Sequence, residues 1–368
     1  MDDKETCCNC MEITNEAEFD SEGKAYCLIC SSAYLKVCSD CGITFDHRDN
    51  PYLDSVRSER CPSCADEYFR CASCGALCAP SDEGQDGICS DCFREEDKLI
   101  RGYHDNPNLH FLPDNRHSLY FGVELETDNF RHLGLVAREL YALSNDEHTF
   151  YLMEDCSLSS GIEIISQPAT LAYHQTQFPW REITRTVRDY NGKSEDTPTA
   201  ALHIHFSKEF FRPHLKLRTL KLIYLVEKFW DNILPFARTS NYLLERSAKR
   251  YNDSNLLRYK PSRRKYDNLH RNYDRLHAIN LHTETPTIEF RLFRGTLKTT
   301  VILASIELVD LLARMAKRLS IQDCQSATWA DVLHLAKGKQ YCYLSPQLEA
   351  LLIKQQKGVD LCLTTSES

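Results

Sequence analysis

The chain has 368 residues, 42% of them hydrophobic, and a net charge of −9, enough for two or more domains with a sizeable core. No apolar run reaches the length of a membrane span, and the acidic start Met1-Asp2-Asp3-Lys4 is no signal peptide, so a cytoplasmic protein without membrane contact is expected. The charge is uneven: residues 1–100 carry −13 and the remainder +4, which points to two regions with different work.

Fourteen of the 18 cysteines precede residue 93. Twelve form C-x-x-C pairs: Cys7/Cys10, Cys27/Cys30, Cys38/Cys41, Cys61/Cys64, Cys71/Cys74 and Cys89/Cys92. In order they make three modules, C-x2-C-x16-C-x2-C, C-x2-C-x19-C-x2-C and C-x2-C-x14-C-x2-C, starting at residues 7, 38 and 71. This spacing suits tetrahedral four-thiolate zinc, about three structural Zn²⁺ in all, although ligation interleaved between modules is also compatible with it. Gly23, Gly42, Gly75 and Gly87 lie near the pairs, where a knuckle turn needs positive φ. Cys8 and Cys78 are surplus. Nucleic acid is not the expected partner, because four thiolates around one dication add negative charge to a region already at −13. Protein contact or a purely structural role is expected instead.

The expected domain boundaries are 1–95 for the zinc modules, 96–116 for a polar linker, 117–320 for a catalytic domain, 321–363 for a helical extension and 364–368 for a disordered tail. After the linker, strands and helices alternate. Tyr120–Thr127 reads as a strand, 133–143 as a helix, 153–168 as a turn and a strand, and 174–189 as a helix. The stretch 191–198 is a loop and 202–206 a strand. A long amphipathic helix spans 216–234. Residues 241–265 are basic and irregular or helical. Two strands, 276–281 and 287–293, precede a helix over 301–319.

Four of these strands share one design. Glu124 and Glu126 alternate with Val123 and Leu125, placing two carboxylates about 7 Å apart on one face. Glu163 stands between isoleucines. His203 and His205 share a face, as do Glu289 and Arg291. Arg294 falls on the opposite face by parity unless the strand ends or bulges before it. Packed together, the four strands would present carboxylates, imidazoles and an arginine on one side, a surface suited to divalent metal and phosphate. Taken singly, each segment is also compatible with a solvated strand face, a packed histidine pair or a structural ion pair.

The segments FGVELET, MEDCSLSSGIEIISQP, LHIHFSK and AINL followed by IEFRLFRGTL resemble, in order and spacing, the amidoligase family of the carboxylate–amine ligase superfamily. The resemblance runs from about Tyr120 to about Leu319. It implies an α+β fold like that of glutamine synthetase and glutamate–cysteine ligase, with a curved, mainly antiparallel sheet backed by helices. It further implies ATP, two or three Mg²⁺, and activation of a carboxylate as an acyl phosphate before attack by an amine. By the same resemblance Glu124, Glu126, Glu163, His203 and Glu289 hold Mg²⁺. His205 faces nucleotide or phosphate, Arg291 stabilises the transferring phosphoryl group, and Asp155 and Ser157 lie on a loop near the substrate. Asn280 and Thr296 match supporting or substrate positions. One departure is Ala200-Ala201-Leu202 where many relatives have glycine before the H-x-H strand.

The expected activity is therefore an ATP-dependent ligase forming an amide or isopeptide bond between a carboxylate and an amine, the latter free or on a peptide or protein. A non-catalytic, zinc-scaffolded interaction protein and a metal-dependent phosphoesterase are the alternatives.

Overall fold

A computed structural model describes residues 4–365 except 53, 55, 73, 86, 97–98, 104, 106, 115, 196, 198, 240–243, 247, 252–265 and 269–274. The chain divides into two compact units, Met1–Asp97 and Lys98–Ser368.

The second unit is α+β. Its sheet has seven strands: β1 (Ile100–Arg101), β2 (Phe121–Thr127), β3 (Phe150–Met153), β4 (Ile162–Ser166), β5 (Ala201–Ser207), β6 (Ile279–Asn280) and β7 (Thr287–Arg294). Their spatial order is β1-β3-β4-β2-β5-β7-β6, antiparallel except where β1 runs parallel to β3. The period-two pattern explains why these segments pair as they do. Val123, Leu125, Ile162, Ile164, Leu202, Ile204 and Phe290 all lie on the back, each at most 1% exposed. A slip of one residue in any pairing would bring carboxylates into this core, so the register is strongly specified. The sheet curves far enough that Arg275, just before β6, approaches the hydroxyl of Tyr103, just after β1, within 3.5 Å, although those strands are its opposite edges.

The register sets up the front. Glu126 lies opposite Glu163, Glu124 opposite His203, His205 opposite Glu289, and Asn280 opposite Glu289 from the other side. Between the pairs Ile204–Phe290 and Leu202–Phe293, β7 carries one residue more than β5. This bulge buries both Leu292 and Phe293 in the core and resets the parity. Arg294 then lies opposite Ala201, on the same face as His203 and His205, and not on the back as simple alternation puts it.

Helices pack behind the sheet. Among the described residues they include α1 (Leu133–Ser144), α2 (Leu171–Thr176), α3 (Trp180–Asp189), α4 (Leu215–Lys228), α5 (Trp230–Ala237), α6 (Thr299–Arg318), α7 (Ile321–Ser326), α8 (Trp329–Ala336) and α9 (Leu344–Thr365). The single helix expected over 174–189 is two, because Pro179 separates α2 from α3. The one expected over 216–234 is also two, since the backbone leaves helical values at Phe229. Segment 96–116 is partly built into the sheet: Ile100 and Arg101 form β1, and Leu112, 4% exposed, exchanges backbone bonds with Pro168 and Thr170. α6 is almost wholly buried. Its Glu307 accepts the N–H groups of Tyr343 and Leu344 at 3.0 and 2.6 Å and so seats the start of α9. α9 runs through Thr365, past the expected boundary at 364; residues 366–368 lie outside the described residues. So does most of the basic stretch 241–265. No helix of the described residues is long and apolar enough to cross a membrane.

The first unit is a succession of two- and three-residue hairpins with short helices, organised by its cysteines. Ala17–Phe19 pairs with Ala25–Cys27, Leu35–Val37 with Thr44–Asp46, and Phe69–Arg70 with Leu77–Cys78. Tyr26 of the first module donates to Asp46 of the second at 3.0 Å, and Arg48 joins Asp46 to Asn9.

Candidate active site and cysteine clusters

The front of the sheet gathers Glu124, Glu126, Glu163, His203, His205, Glu289 and Arg291. Glu124 is central. Its Oε2 is 3.2 Å from His203 Nδ1 and its Oε1 is 2.9 Å from His205 Nε2. His203 Nδ1 is also 3.7 Å from Glu126 and 3.6 Å from Glu289. Two sets of ligand atoms lie within 4.8 Å of one another, Glu124/Glu163/His203 and Glu124/His205/Glu289, with Glu124 common to both. Such oxygen-rich sets suit hard divalent cations.

The outward atoms of this cluster are held from outside. Asn280 Nδ2 donates to Glu289 Oε2 at 2.7 Å, leaving Oε1 to Arg291 Nη1 at 2.6 Å. The Ala201 N–H donates to Glu126 Oε2 at 2.6 Å. Thr287 Oγ1 is 3.0 Å from His205 Nδ1, which directs Nε2 inward. Outer contacts of this kind fix ligand orientation and tautomer.

Crowded carboxylates determine the electrostatics. Burial, then Glu124, Glu126, Asp155 and Glu289, push the Glu163 carboxyl well above the usual range. Burial also raises Glu126, with His203 opposing and Asp155 adding to the rise. Burial works to raise Glu124 too, but His205 and His203 outweigh it and hold that carboxyl well below the usual range. For His205, burial favours the neutral ring, yet Glu124 and Glu289 lift it to about 9. The crowded carboxylates thus repel one another, with Arg291 offsetting part of their charge. A divalent cation would relieve that repulsion, so the donor set fits Mg²⁺.

Asp155 lies on the loop after β3 and acts on Glu126 and Glu163 through its charge. Ser157 donates its N–H to Asp155 Oδ1 at 2.6 Å. Thr296 is fully buried; its hydroxyl donates to Glu195 at 2.9 Å and accepts the Lys298 N–H at 3.1 Å, which ties it to the loop before α6.

Two further residues escape sequence reasoning, and a third, Arg294, changes face. Asp128 accepts the N–H groups of Ser159 and Ser160 and the hydroxyl of Thr199, tying two rim loops to the end of β2. Tyr151 shares the front with Glu163, and burial, reinforced by Glu124 and Glu163, pushes its phenol up. Arg294 reaches the front through the bulge. No local signal marks Asp128 or Tyr151; for Arg294, three residues after Arg291, alternation gives the opposite face and the bulge brings it to the front.

In the first unit the cysteines assemble as Cys7/Cys10/Cys27/Cys30, Cys38/Cys41/Cys61/Cys64 and Cys71/Cys74/Cys89/Cys92, each set within 4.8 Å and in sequence order rather than interleaved. Cys8 is exposed and Cys78 buried. Burial raises the Cys7 thiol, but N–H groups of Cys10, Cys27 and Asn9 outweigh it and bring it to about 6; Cys38 reaches about 6 in the same way, with Cys41, Cys61 and Asp40 as donors. Four thiols gathered in each set, with the first of the first two sets biased toward thiolate, fit tetrahedral zinc.

Residues 140–313 match the protein family described as "Putative amidoligase enzyme". A search of curated proteins gave no significant match. Among solved structures, the complex between the prokaryotic ubiquitin-like protein Pup and its ligase PafA contains a chain that is 10% identical, with a TM-score of 0.32. That match covers 66% of this chain and 65% of the other, so the chain spans just under two thirds of that protein's length.

Proposed function

We propose that this chain, whose residues 140–313 carry the amidoligase match, is an ATP- and Mg²⁺-dependent carboxylate–amine ligase forming an amide or isopeptide bond. The observation that carries the reading is the sharing of Glu124 between two three-ligand sets, with Arg291 beside them. ATP and Mg²⁺, when bound, supply the phosphoryl group that activates the carboxylate and the positive charge that offsets its transfer.

The residues divide the work. Glu124, Glu126, Glu163, His203 and Glu289 hold two or three cations. Arg291 presents its planar guanidinium to phosphoryl oxygens, a geometry that an ammonium cannot reproduce. His205, its Nδ1 engaged by Thr287, offers Nε2 to the centre. Asp155, on its loop at the rim, faces the incoming amine and is placed to take its proton. The substrates are a carboxylate and an amine, the amine free or on a peptide or protein. The three cysteine sets hold about three structural Zn²⁺ and present the acidic first unit to a protein partner rather than to nucleic acid.

A screen of acid and amine pairs for ADP release, with product mass as readout, tests the reading. Glu124→Gln keeps size and one oxygen but removes the charge opposing the cations. It is expected to leave the melting temperature nearly unchanged while turnover falls on the order of 10² or more. ADP release without an added amine would point to a phosphoesterase or phosphatase instead. A Glu124→Gln protein that folds and turns over normally would remove the mechanism.

A further inference from the structure

The first two cysteine modules are joined through side chains as well as along the chain. Tyr26, 2% exposed, packs with Cys7, Cys27 and Cys30 of the first set, and its hydroxyl donates to Asp46 at 3.0 Å. Asp46, itself 4% exposed, ends the hairpin of the second module, where it pairs with Leu35. Its neighbour Phe45 packs with Cys38 and Cys61 of the second set. The Asp46 carboxylate accepts Arg48 Nε at 3.0 Å, and the Arg48 guanidinium lies 3.8 Å from the centre of the Tyr34 ring. His47 Nδ1 is 2.8 Å from the Tyr34 carbonyl oxygen, and the Ser21 N–H donates to the Thr44 carbonyl at 2.8 Å.

Arg48 then reaches back to the first set. Its Nη1 donates to Asn9 Oδ1 at 2.8 Å, and Asn9 Nδ2 donates to Cys30 Sγ at 3.2 Å. A guanidinium only donates and a thiolate only accepts, so the orientation of the amide between them is fixed. The charge on Arg48 polarises that amide and strengthens its bond to sulfur. Such a donor matters at a four-thiolate zinc, which carries a net charge of about −2. Counted from its first cysteine, the third module has Ala79 where the second has Asp46, and Ser73 where the first has Asn9. Its sequence therefore carries neither the carboxylate nor the amide of this link.

We propose that the first two zinc sites are one coupled unit: Arg48 of the second module acts through Asn9 on the Cys30 thiolate of the first, so that emptying either site weakens zinc at the other. The proposal rests on the zinc reading of the cysteine sets and goes beyond it. Loss of the second zinc frees Cys38 and Cys61, and with them Phe45 and the hairpin that carries Asp46 and Arg48. Loss of the first frees Cys27 and Cys30, and with them Tyr26, which holds Asp46. Coupling between two binding sites is reciprocal, by the same factor in both directions. Arg48 and Asn9 are positioning residues, since neither is a ligand, and the third site stands outside the unit.

The test uses the full chain and a chromogenic chelator, with zinc per chain counted before each titration. Cys61→Ser removes a ligand of the second site and Cys10→Ser one of the first. In each variant one remaining zinc is expected to leave at about tenfold lower chelator than in the parent, by a similar factor in both, while the other keeps the parent's midpoint. Asn9→Asp and Arg48→Met leave all twelve ligands in place. Asn9→Asp keeps the size and the acceptor for Arg48 but turns an oxygen toward the thiolate. One zinc should therefore weaken by about 10–100-fold, the usual effect of losing an outer-shell partner, although the contact between modules is retained. Arg48→Met should weaken one zinc by about tenfold, and Arg48→Lys, which keeps a charge and a donor, by less. Unmoved midpoints in Cys61→Ser and Cys10→Ser, or parent-like release from Arg48→Met, overturn the proposal and leave the zinc reading in place. A parent that holds no zinc overturns the zinc reading, and the proposal with it.

Discussion

Asn280 donates its amide to Glu289 Oε2 at 2.7 Å, across the outermost strand pair of the sheet. Glu289 is 3% exposed, so this bond both satisfies a buried oxygen and fixes which oxygen faces the carboxylate centre. Asn280→Ala is expected to cost about 1–3 kcal/mol of stability, the usual result of leaving a buried polar atom unpaired. It should also lower apparent Mg²⁺ affinity by about tenfold or more, as loss of an outer-shell partner does. Mg²⁺ titration of nucleotide turnover checks this. An unchanged titration midpoint would show that Glu289 holds its orientation without Asn280.

Asp128 does similar work for the rim. Its carboxylate accepts from Ser160 and Asn129 through Oδ1 and from Ser159 and Thr199 through Oδ2, so the loop bearing Asp155 and the segment leading to Ala201 share one anchor. Asp128→Ala should lower turnover and raise KM together, while Asp128→Asn, which retains one oxygen acceptor, recovers part of both. Gly161→Ala should be more damaging still, because its Cβ would lie 2.2 Å from the Thr127 carbonyl oxygen. Steady-state kinetics alongside melting temperature separate loop positioning from simple loss of fold.

The sheet was legible because its alternation is strict: Val123, Leu125, Ile162, Ile164, Leu202 and Ile204 mark the back, and the intervening polar residues mark the front. What alternation does not encode is a bulge. Ile288 through Leu292 read as a regular strand, and the extra residue in β7 shows only in the register against β5, which is why Arg294 changes face. β3 was missed because FYLM lacks a polar partner at every second position. Asp128 gave no signal because its four donors come from residues 129, 159, 160 and 199, and only the fold brings the last three to it. The cysteine sets were the most legible feature, since ligand spacing is local, although only the fold shows that they are not interleaved.

His174 carries a pH dependence of stability. It is 1% exposed, its Nε2 lies 3.1 Å from the Phe121 carbonyl oxygen, and Nδ1 has no partner. The ring is therefore the neutral tautomer with the proton on Nε2. Burial lowers it from 6.5 to about 4, against the smaller opposing effect of that carbonyl. Because the folded value lies below the unfolded one, the unfolded chain binds more protons between them. Stability is complete above about pH 6.5 and declines as pH falls toward 4, by about 1.4 kcal/mol for each unit in that window. His174→Gln, which keeps a donor for Phe121, should flatten this slope. Denaturant unfolding at pH 7, 6 and 5 checks it; equal slopes in parent and variant would assign the dependence to other groups.

The knuckles of the first unit repeat one hydrogen-bond pattern. In each module the residue just after the first C-x-x-C pair returns its N–H to the carbonyl of the first cysteine: Met11 to Cys7 at 2.9 Å, Gly42 to Cys38 at 3.0 Å, Gly75 to Cys71 at 2.8 Å. All three residues have positive φ, 64°, 74° and 73°. Glycine adopts this conformation freely, whereas an L side chain pays roughly 1–2 kcal/mol there. Met11 gains little in return, since it is 72% exposed. Met11→Gly removes that strain but adds about 0.5–1 kcal/mol of chain entropy to be lost on folding. The net expectation is a modest stabilisation of the first knuckle, up to about 1 kcal/mol, and the reverse for Gly42→Met. Because folding of such modules is coupled to zinc, the readout is zinc release on titration with a chelator. Met11→Gly should need more chelator to lose its zinc and Gly42→Met less, with zinc per chain equal to the parent's at the start. If Met11→Gly releases zinc more readily, the methionine side chain supports the knuckle by a contact that outweighs the backbone strain.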